Sequence, residues 1–333
     1  MKLSLYVGSL LAVCLLFLRA VPGCCAEKGQ VPPFHRGISI GNALDAPRGR
    51  PWDVKLKNSY FALIRQAGFG LVRLPARFSD YTGAPPDYKL DAAFMRKIDR
   101  HIKYALRAGL YVILDLHHFV EIMDEPYRHH ARFLAIWRQL ADRYRDYPAA
   151  LIFEALNEPH GQLSGSLWND YLADAVAIIR ASNPERHIVV GADEFNSIAG
   201  LSRLILPPAR NLILTFHYYA PIEFTLQKQE ALGMDKSESV GWLGTDAELE
   251  YIKNSFSLVS QYAKERGLPV LLGEFGANEK APPHMRKAWT AAVRRQAEQQ
   301  GFAWAYWEFA SIFGAYDTKA GEWRNFILSA LID

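Results

Sequence analysis

"LIFEALNEPH", residues 151–160, begins as a buried strand and ends as something a buried strand does not tolerate. Leu151, Ile152 and Phe153 ask for an apolar environment, yet Asn157 and Glu158 follow and Pro159 stops a hydrogen-bonded ladder. The run has seven counterparts along the chain: "GISIG" (37–41), "LVRLP" (71–75), "LYVILDL" (110–116), "HIVVG" (187–191), "LILTFHYY" (212–219), "PVLLGEF" (269–275) and "FAWAYWEF" (302–309). Each is short, apolar and rich in branched or aromatic residues, as parallel strands covered on both faces are.

Helical patterns lie between them. "SYFALIRQAG" ends on Gly68, "LDAAFMRKIDRHIKYALRAG" ends on Gly109, and "HARFLAIWRQLADRYRDYP" runs up to Pro148. "SLWNDYLADAVAIIRASNP", "AELEYIKNSFSLVSQYAKERG" and "HMRKAWTAAVRRQAEQQG" follow the same recipe, each closed by a turn residue. The weakest helical pattern is near "NSIAGLSRLI", after the fifth run. Eight such strand–helix units predict an α/β chain, a (β/α)8 TIM barrel in one domain. A doubly wound open sheet is the alternative. It usually carries a Gly-rich phosphate loop after its first strand, and "GISIGNALDAP" holds no G-x-G-x-x-G. Only "QKQEALGMDKSESVGW" (227–242) reads as a long, polar, mobile loop.

The first 26 residues stand apart: Lys2, an apolar run from Leu3 to Leu18, then small residues ending at Ala26. They read as an export signal, leaving a catalytic-size domain over 27–333 and a secreted or periplasmic location; a retained membrane anchor, or a lipid on Cys24, is the alternative. All three cysteines (Cys14, Cys24, Cys25) lie in this leader, so a chain without it has neither disulfides nor thiolate chemistry. Lys2 and Arg19 also lie there, which takes the formal charge from +3 to +1. With no basic block and no acidic tail, nucleic acid is excluded as an expected partner.

In a barrel of this kind the C-terminal ends of the strands build the site. Those ends carry Asn42 and Asp45, Arg73, His117 and His118, Asn157 and Glu158, His217 and Tyr219, Glu274, and Trp307. Taken singly, several have structural readings: Glu158 as a first-turn helix acid, Arg73 as half of a buried ion pair, His117 and His118 as metal ligands. Strand one offers no H-x-H and no thiolate is available, so neither a metal nor any other cofactor is expected. Glu274 in "LLGEFG" has no solvated helix face to explain it. Two carboxylates from different strands of one barrel suit glycoside hydrolysis, which needs one protonated acid and one ionised carboxylate flanking the sugar carbon. Arg73 and a Tyr219 hydroxyl would hold Glu274 ionised; burial and the nearby Glu274 charge would keep the proton on Glu158. Asn157 and Glu158 are adjacent, so a twist or bulge must let both face inward.

"LIFEALNEPH" resembles the signature segment of glycoside hydrolase family 5, the cellulase family. "GISIGNALDAP", "AGFGLVRLPARFS", "ILDLHHF", "TFHYYAP", "LLGEFGA" and "WAYWEF" resemble its other motifs, in order, over nearly the whole chain after the leader. The resemblance implies a retaining mechanism with Glu158 as general acid/base and Glu274 as nucleophile. It implies that Asn157 bonds the sugar 2-hydroxyl, and that Arg73 and Tyr219 orient Glu274. His117, His118 and His217 would line the subsite of the distorted sugar over a Trp307 floor, and Asn42 and Asp45 would reach sugars on the non-reducing side. The family pattern often has Glu where this chain has Asp45, and a His and a Trp where it has Leu226 and Ala231, so substrate choice is expected to be weakened or redirected. The expected partner is a β-linked oligo- or polysaccharide, cleaved internally at β-1,4 links by a monomer needing no protein partner. β-Mannan, xyloglucan and mixed-linkage glucan are alternatives within that chemistry, a non-catalytic carbohydrate-binding barrel and a metal-dependent hydrolase outside it.

Overall fold

The computed structural model describes residues 34–229, 233–234 and 240–333. The leader lies outside the described residues, as do 230–232 and 235–239 of the 227–242 loop. Eight parallel strands close into a barrel in sequence order: β1 (Arg36–Ser39), β2 (Leu71–Ala76), β3 (Tyr111–Leu116), β4 (Leu151–Glu154), β5 (Ile188–Gly191), β6 (Leu212–His217), β7 (Val270–Glu274) and β8 (Ala303–Tyr306). β1 pairs with both β2 and β8, so the sheet has no free edge.

Helices follow β1 (Ser59–Gln66), β2 (Ala92–Arg107), β3 (Pro126–Arg143), β4 (Gly165–Ser182), β6 (Asp246–Arg266), β7 (Pro283–Gln299) and β8 (Asn325–Ile332). Two of their starts show how local sequence fixes a boundary. Asp91 accepts the Phe94 amide, and Thr245 and Glu248 form a reciprocal capping box. After β5 the weak pattern delivers no full helix, only a four-residue turn (Asp193–Asn196) and a 3-10 segment (Ala199–Arg203).

The strand period of two divides each strand between core and lumen. One set of side chains, such as Val72, Leu74, Val112, Leu114 and Phe153, packs outward against the helices. The other set forms a lower plug in the lumen: Leu71, Ile113, Ile152, Val189, Ile213, Leu271 and Ala305, sealed by Phe34. Two residues further along β2, β3, β4 and β6 the inward positions become Arg73, Asp115, Glu154 and Thr215, all buried. The lumen is therefore greasy at the bottom and ionic just beneath its mouth. On β7 a register shift opposite Phe216 and His217 brings Glu274 level with His217. That irregularity adds the second acid to the polar layer.

Candidate active site

Arg73 is the hub. It is wholly buried, and each of its three nitrogens meets an acceptor. Nε and Nη2 form a fork on Glu154 at 2.7 and 2.9 Å, Nη1 donates to Glu274 Oε1 at 2.7 Å, and Nη2 also reaches Asp115 Oδ2 at 2.8 Å. Nη2 further donates to Asn157 Oδ1 at 2.7 Å. That contact fixes the amide, whose NH2 is turned toward Glu158.

Glu274 receives a second donor, the Tyr219 hydroxyl, on Oε2 at 2.9 Å. Tyr219 lies two residues past His217, the last residue of β6, yet keeps its orientation toward the lumen. Glu158 sits at the mouth with 26% of its side chain exposed, and His217 Nδ1 meets its Oε1 at 2.6 Å. His217 Nδ1 is also 3.7 Å from Glu274 Oε2, and one oxygen from each acid and a ring nitrogen of His217 lie within 4.8 Å of one another. The two glutamates thus converge.

How adjacent residues both face inward is answered by the backbone. β4 ends at Glu154, the Asn157 amide donates to Leu116 O at 2.9 Å, and Glu158 adopts φ +49°, the left-handed region. His118 (φ +49°) and Asn42 (φ +59°) do the same at the exits of β3 and β1. Non-glycine residues held there store strain, and such strain concentrates at ligand-binding sites.

Burial alone does not divide the two acids. Burial pushes both Glu158 and Glu274 up to about 7; on Glu274 it outweighs the opposing pull of His217, Arg73 and Tyr219. The reason is that Arg73 is shared: one guanidinium touches three carboxylates, and its charge is spread over Glu154, Asp115 and Glu274. Two acids this close share a proton between them. Arg73 and Tyr219 donate directly to Glu274 and favour its ionised form. Burial drives His117 and His217 below the usual imidazole range.

One flank is aromatic. The Trp307 indole lies parallel to the His117 ring at 5.6 Å, and His118 sets its edge against His117 at 4.4 Å. Gly41 makes room: a β-carbon there would sit 2.4 Å from the Trp307 ring. Asp45 departs from its expected role of reaching sugar. It is fully buried and spends its oxygens on the backbone amides of Asn42 (3.1 Å) and Ala43 (2.8 Å), bracing the turn that presents Asn42. Burial lifts its pKa to about 6. Asn42 itself stays partly exposed and donates to Glu308 Oε2 at 2.7 Å.

Sequence reasoning passed over Asp115, Glu154 and Glu308. All three are charged residues inside apolar runs, the same signal that marks Arg73 and Glu274. It also passed over two exposed aromatics. Trp52, 39% exposed, stands edge-on to His118 at 5.5 Å. Phe195, 53% exposed, stacks on His160 at 4.2 Å, and the His160 ring nitrogen contacts the Glu158 carbonyl at 2.7 Å. Phe195 belongs to three consecutive left-handed residues, Glu194 to Asn196, and its amide is tied to Pro159 O at 3.1 Å.

Among the described residues two side-chain groups have the spacing a metal ion could use: Asp45, His117 and His118, and Glu158, His217 and Glu274. In both, the carboxylates already accept the hydrogen bonds given above. Lumen acids, buried imidazoles, an oriented amide and flat aromatic walls instead suit an uncharged polyhydroxylated ring.

The family profile "Cellulase (glycosyl hydrolase family 5)" matches residues 36–311. Endoglucanase H of Acetivibrio thermocellus is 30% identical over 84% of this chain, which spans 30% of that protein's length. Among solved structures, the Clostridial cellulose synthase subunit Z of Clostridioides difficile superposes with a TM-score of 0.88 at 46% identity, covering 90% of this chain and all of that one. Thermotoga maritima Cel5A, solved with cellobiose, gives 0.88 at 41% identity over 92% of this chain and 99% of its own; it has also been solved with mannotriose. The chain belongs to glycosyl hydrolase family 5, the cellulase family.

Proposed function

We propose that this chain is an exported endo-β-1,4-glucanase that cleaves with net retention, Glu158 serving as acid/base and Glu274 as nucleophile. The observation that carries the reading is the convergence of the two glutamates, with one oxygen of each within 4.8 Å of the other. Retaining glycosidases hold their carboxyl groups about 5–5.5 Å apart, whereas inverting ones need about 6.5–9.5 Å to admit a water between acid and base.

In the first step Glu158 gives its proton to the glycosidic oxygen while Glu274 attacks the anomeric carbon from the opposite face. The C1–O bond breaks and an ester to Glu274 forms. Asn157, its carbonyl held by Arg73, turns its NH2 to the sugar 2-hydroxyl, where transition-state charge strengthens the bond. In the second step Glu158, now ionised, takes a proton from water; the water oxygen bonds to C1 and the Glu274 carboxylate leaves. The shared proton returns to Glu158 and the cycle closes.

Cellulose is the favoured substrate because Endoglucanase H is named for cleaving a glucan internally and the subunit Z for cellulose synthesis. The mannotriose complex of Thermotoga maritima Cel5A favours β-mannan as a second substrate of the same site. A panel of amorphous cellulose, carboxymethyl cellulose, mannan, xyloglucan and mixed-linkage glucan, read by reducing ends and by the anomer first released, tests both. β-Anomer release from cellulose is expected. Inactivity on every β-glycan, or the α-anomer as first product, overturns the reading.

A further inference from the structure

We propose that Glu154, which has no exposed surface to offer a sugar, is a positioning residue that tunes the nucleophile through Arg73. The inference rests on the assignment of Glu274 as nucleophile. The geometry is specific. Glu154 takes Nε and one Nη2 hydrogen in a fork at 2.7 and 2.9 Å, which is the arrangement that locks a guanidinium plane. With that edge fixed, Nη1 donates to Glu274 and the remaining Nη2 hydrogen is left for Asn157 and Asp115. Glu154 therefore aims the arm that orients both the nucleophile and the amide expected on the 2-hydroxyl.

The second consequence is electrostatic. Glu274 faces Arg73 from β2, Glu158 from the exit of β4, His217 and Tyr219 from β6 and its exit, and Glu308 from the exit of β8. Arg73 is the only permanent cation in that set. Glu154 and Asp115, both buried against it, cancel much of its field. Arg73 is thereby kept as a hydrogen-bond donor without becoming a strong counter-ion, so Glu274 stays basic enough to attack carbon.

Removing the Glu154 charge while keeping its shape returns that field to Glu274 and Glu158, and favours their ionised forms. Glu154→Gln is expected to move both limbs of the kcat/KM pH profile to lower pH, by about one unit, with KM changed less than about twofold. Glu154→Asp keeps the charge but cannot span the fork; its limbs stay with wild type while kcat falls. A purely structural role would lower activity or thermal stability without displacing either limb, and that result for Glu154→Gln overturns the proposal. Should Glu154→Gln fail to fold, Asp115→Asn reads the same field from the other side of Arg73; an unmoved profile there is equally fatal. Glu274→Gln run alongside separates the two levels: persistent turnover in that variant defeats the nucleophile assignment, whereas its loss with unmoved Glu154→Gln limbs defeats this inference alone.

Discussion

Tyr219→Phe removes one oxygen and one hydrogen bond, and its consequence can be worked through. The hydroxyl donates to Glu274 Oε2 at 2.9 Å. A hydrogen bond to a charged acceptor contributes about 1.5–3 kcal/mol, and this one favours the ionised carboxylate over the protonated one. Losing it raises the pKa of Glu274, and at about 1.36 kcal/mol per unit the rise is about 1–2 units. In the intact site burial already lifts Glu274 to about 7, with His217, Arg73 and Tyr219 opposing. The acid limb of kcat/KM therefore moves to higher pH, opposite to the direction expected for Glu154→Gln. At about pH 6 the loss is ~10–100-fold and shrinks as the pH rises. The assay is initial rates on a soluble cello-oligosaccharide across the pH range, with circular dichroism to confirm folding. A loss uniform in pH, or no loss, refutes the claim that this hydroxyl governs Glu274 ionisation.

The wild-type pH profile of kcat/KM should be a bell centred near neutrality. It falls on the acid side as Glu274 takes a proton and on the alkaline side as Glu158 loses its own, because burial lifts both to about 7; a plateau extending well below pH ~5 would contradict the shared-proton description. Phe195→Ala strips the exposed ring stacked on His160 beside the acid. It should raise KM several-fold for long oligosaccharides while leaving kcat on short aryl glycosides within about twofold, since such a platform binds ground and transition states alike; Michaelis kinetics on both substrate classes check it. Gly276→Ala would put a β-carbon 2.0 Å from the Trp307 carbonyl oxygen, so the backbone must move. A destabilisation of about 1–3 kcal/mol is expected from chemical denaturation, with activity falling as Trp307 shifts.

The barrel is legible in the sequence because its strands, covered by helices outside and filled by side chains inside, have to be short apolar runs, and each run found a strand in the closed sheet. The fifth unit is the weak one: "NSIAGLSRLI" has too little apolar repeat for a full helix, and after three left-handed residues, Glu194 to Asn196, the chain forms only a 3-10 segment there. The polar layer was only half legible. Arg73 and Glu274 stand out because a charge inside an apolar run needs an explanation; Asp115 in "YVILDL" and Glu154 in "LIFE" carry the same signal and become intelligible once alternation puts them on the lumen face. Asp45 shows the limit from the other side. Its side chain turns back onto its own loop amides, a choice set by φ +59° at Asn42, which no residue pattern announces. The balance of charge on Glu274 was likewise hidden, because it depends on how many carboxylates share one arginine.

The most direct measurement is to trap the reaction halfway. A 2-deoxy-2-fluoro cellobioside with a good leaving group slows the second step more than the first, so an ester on the nucleophile accumulates. Peptide mass spectrometry of the inactivated protein should find one fluorosugar on Glu274. A fluorosugar on any other residue, or hydrolysis with inversion and no ester at all, would contradict the account.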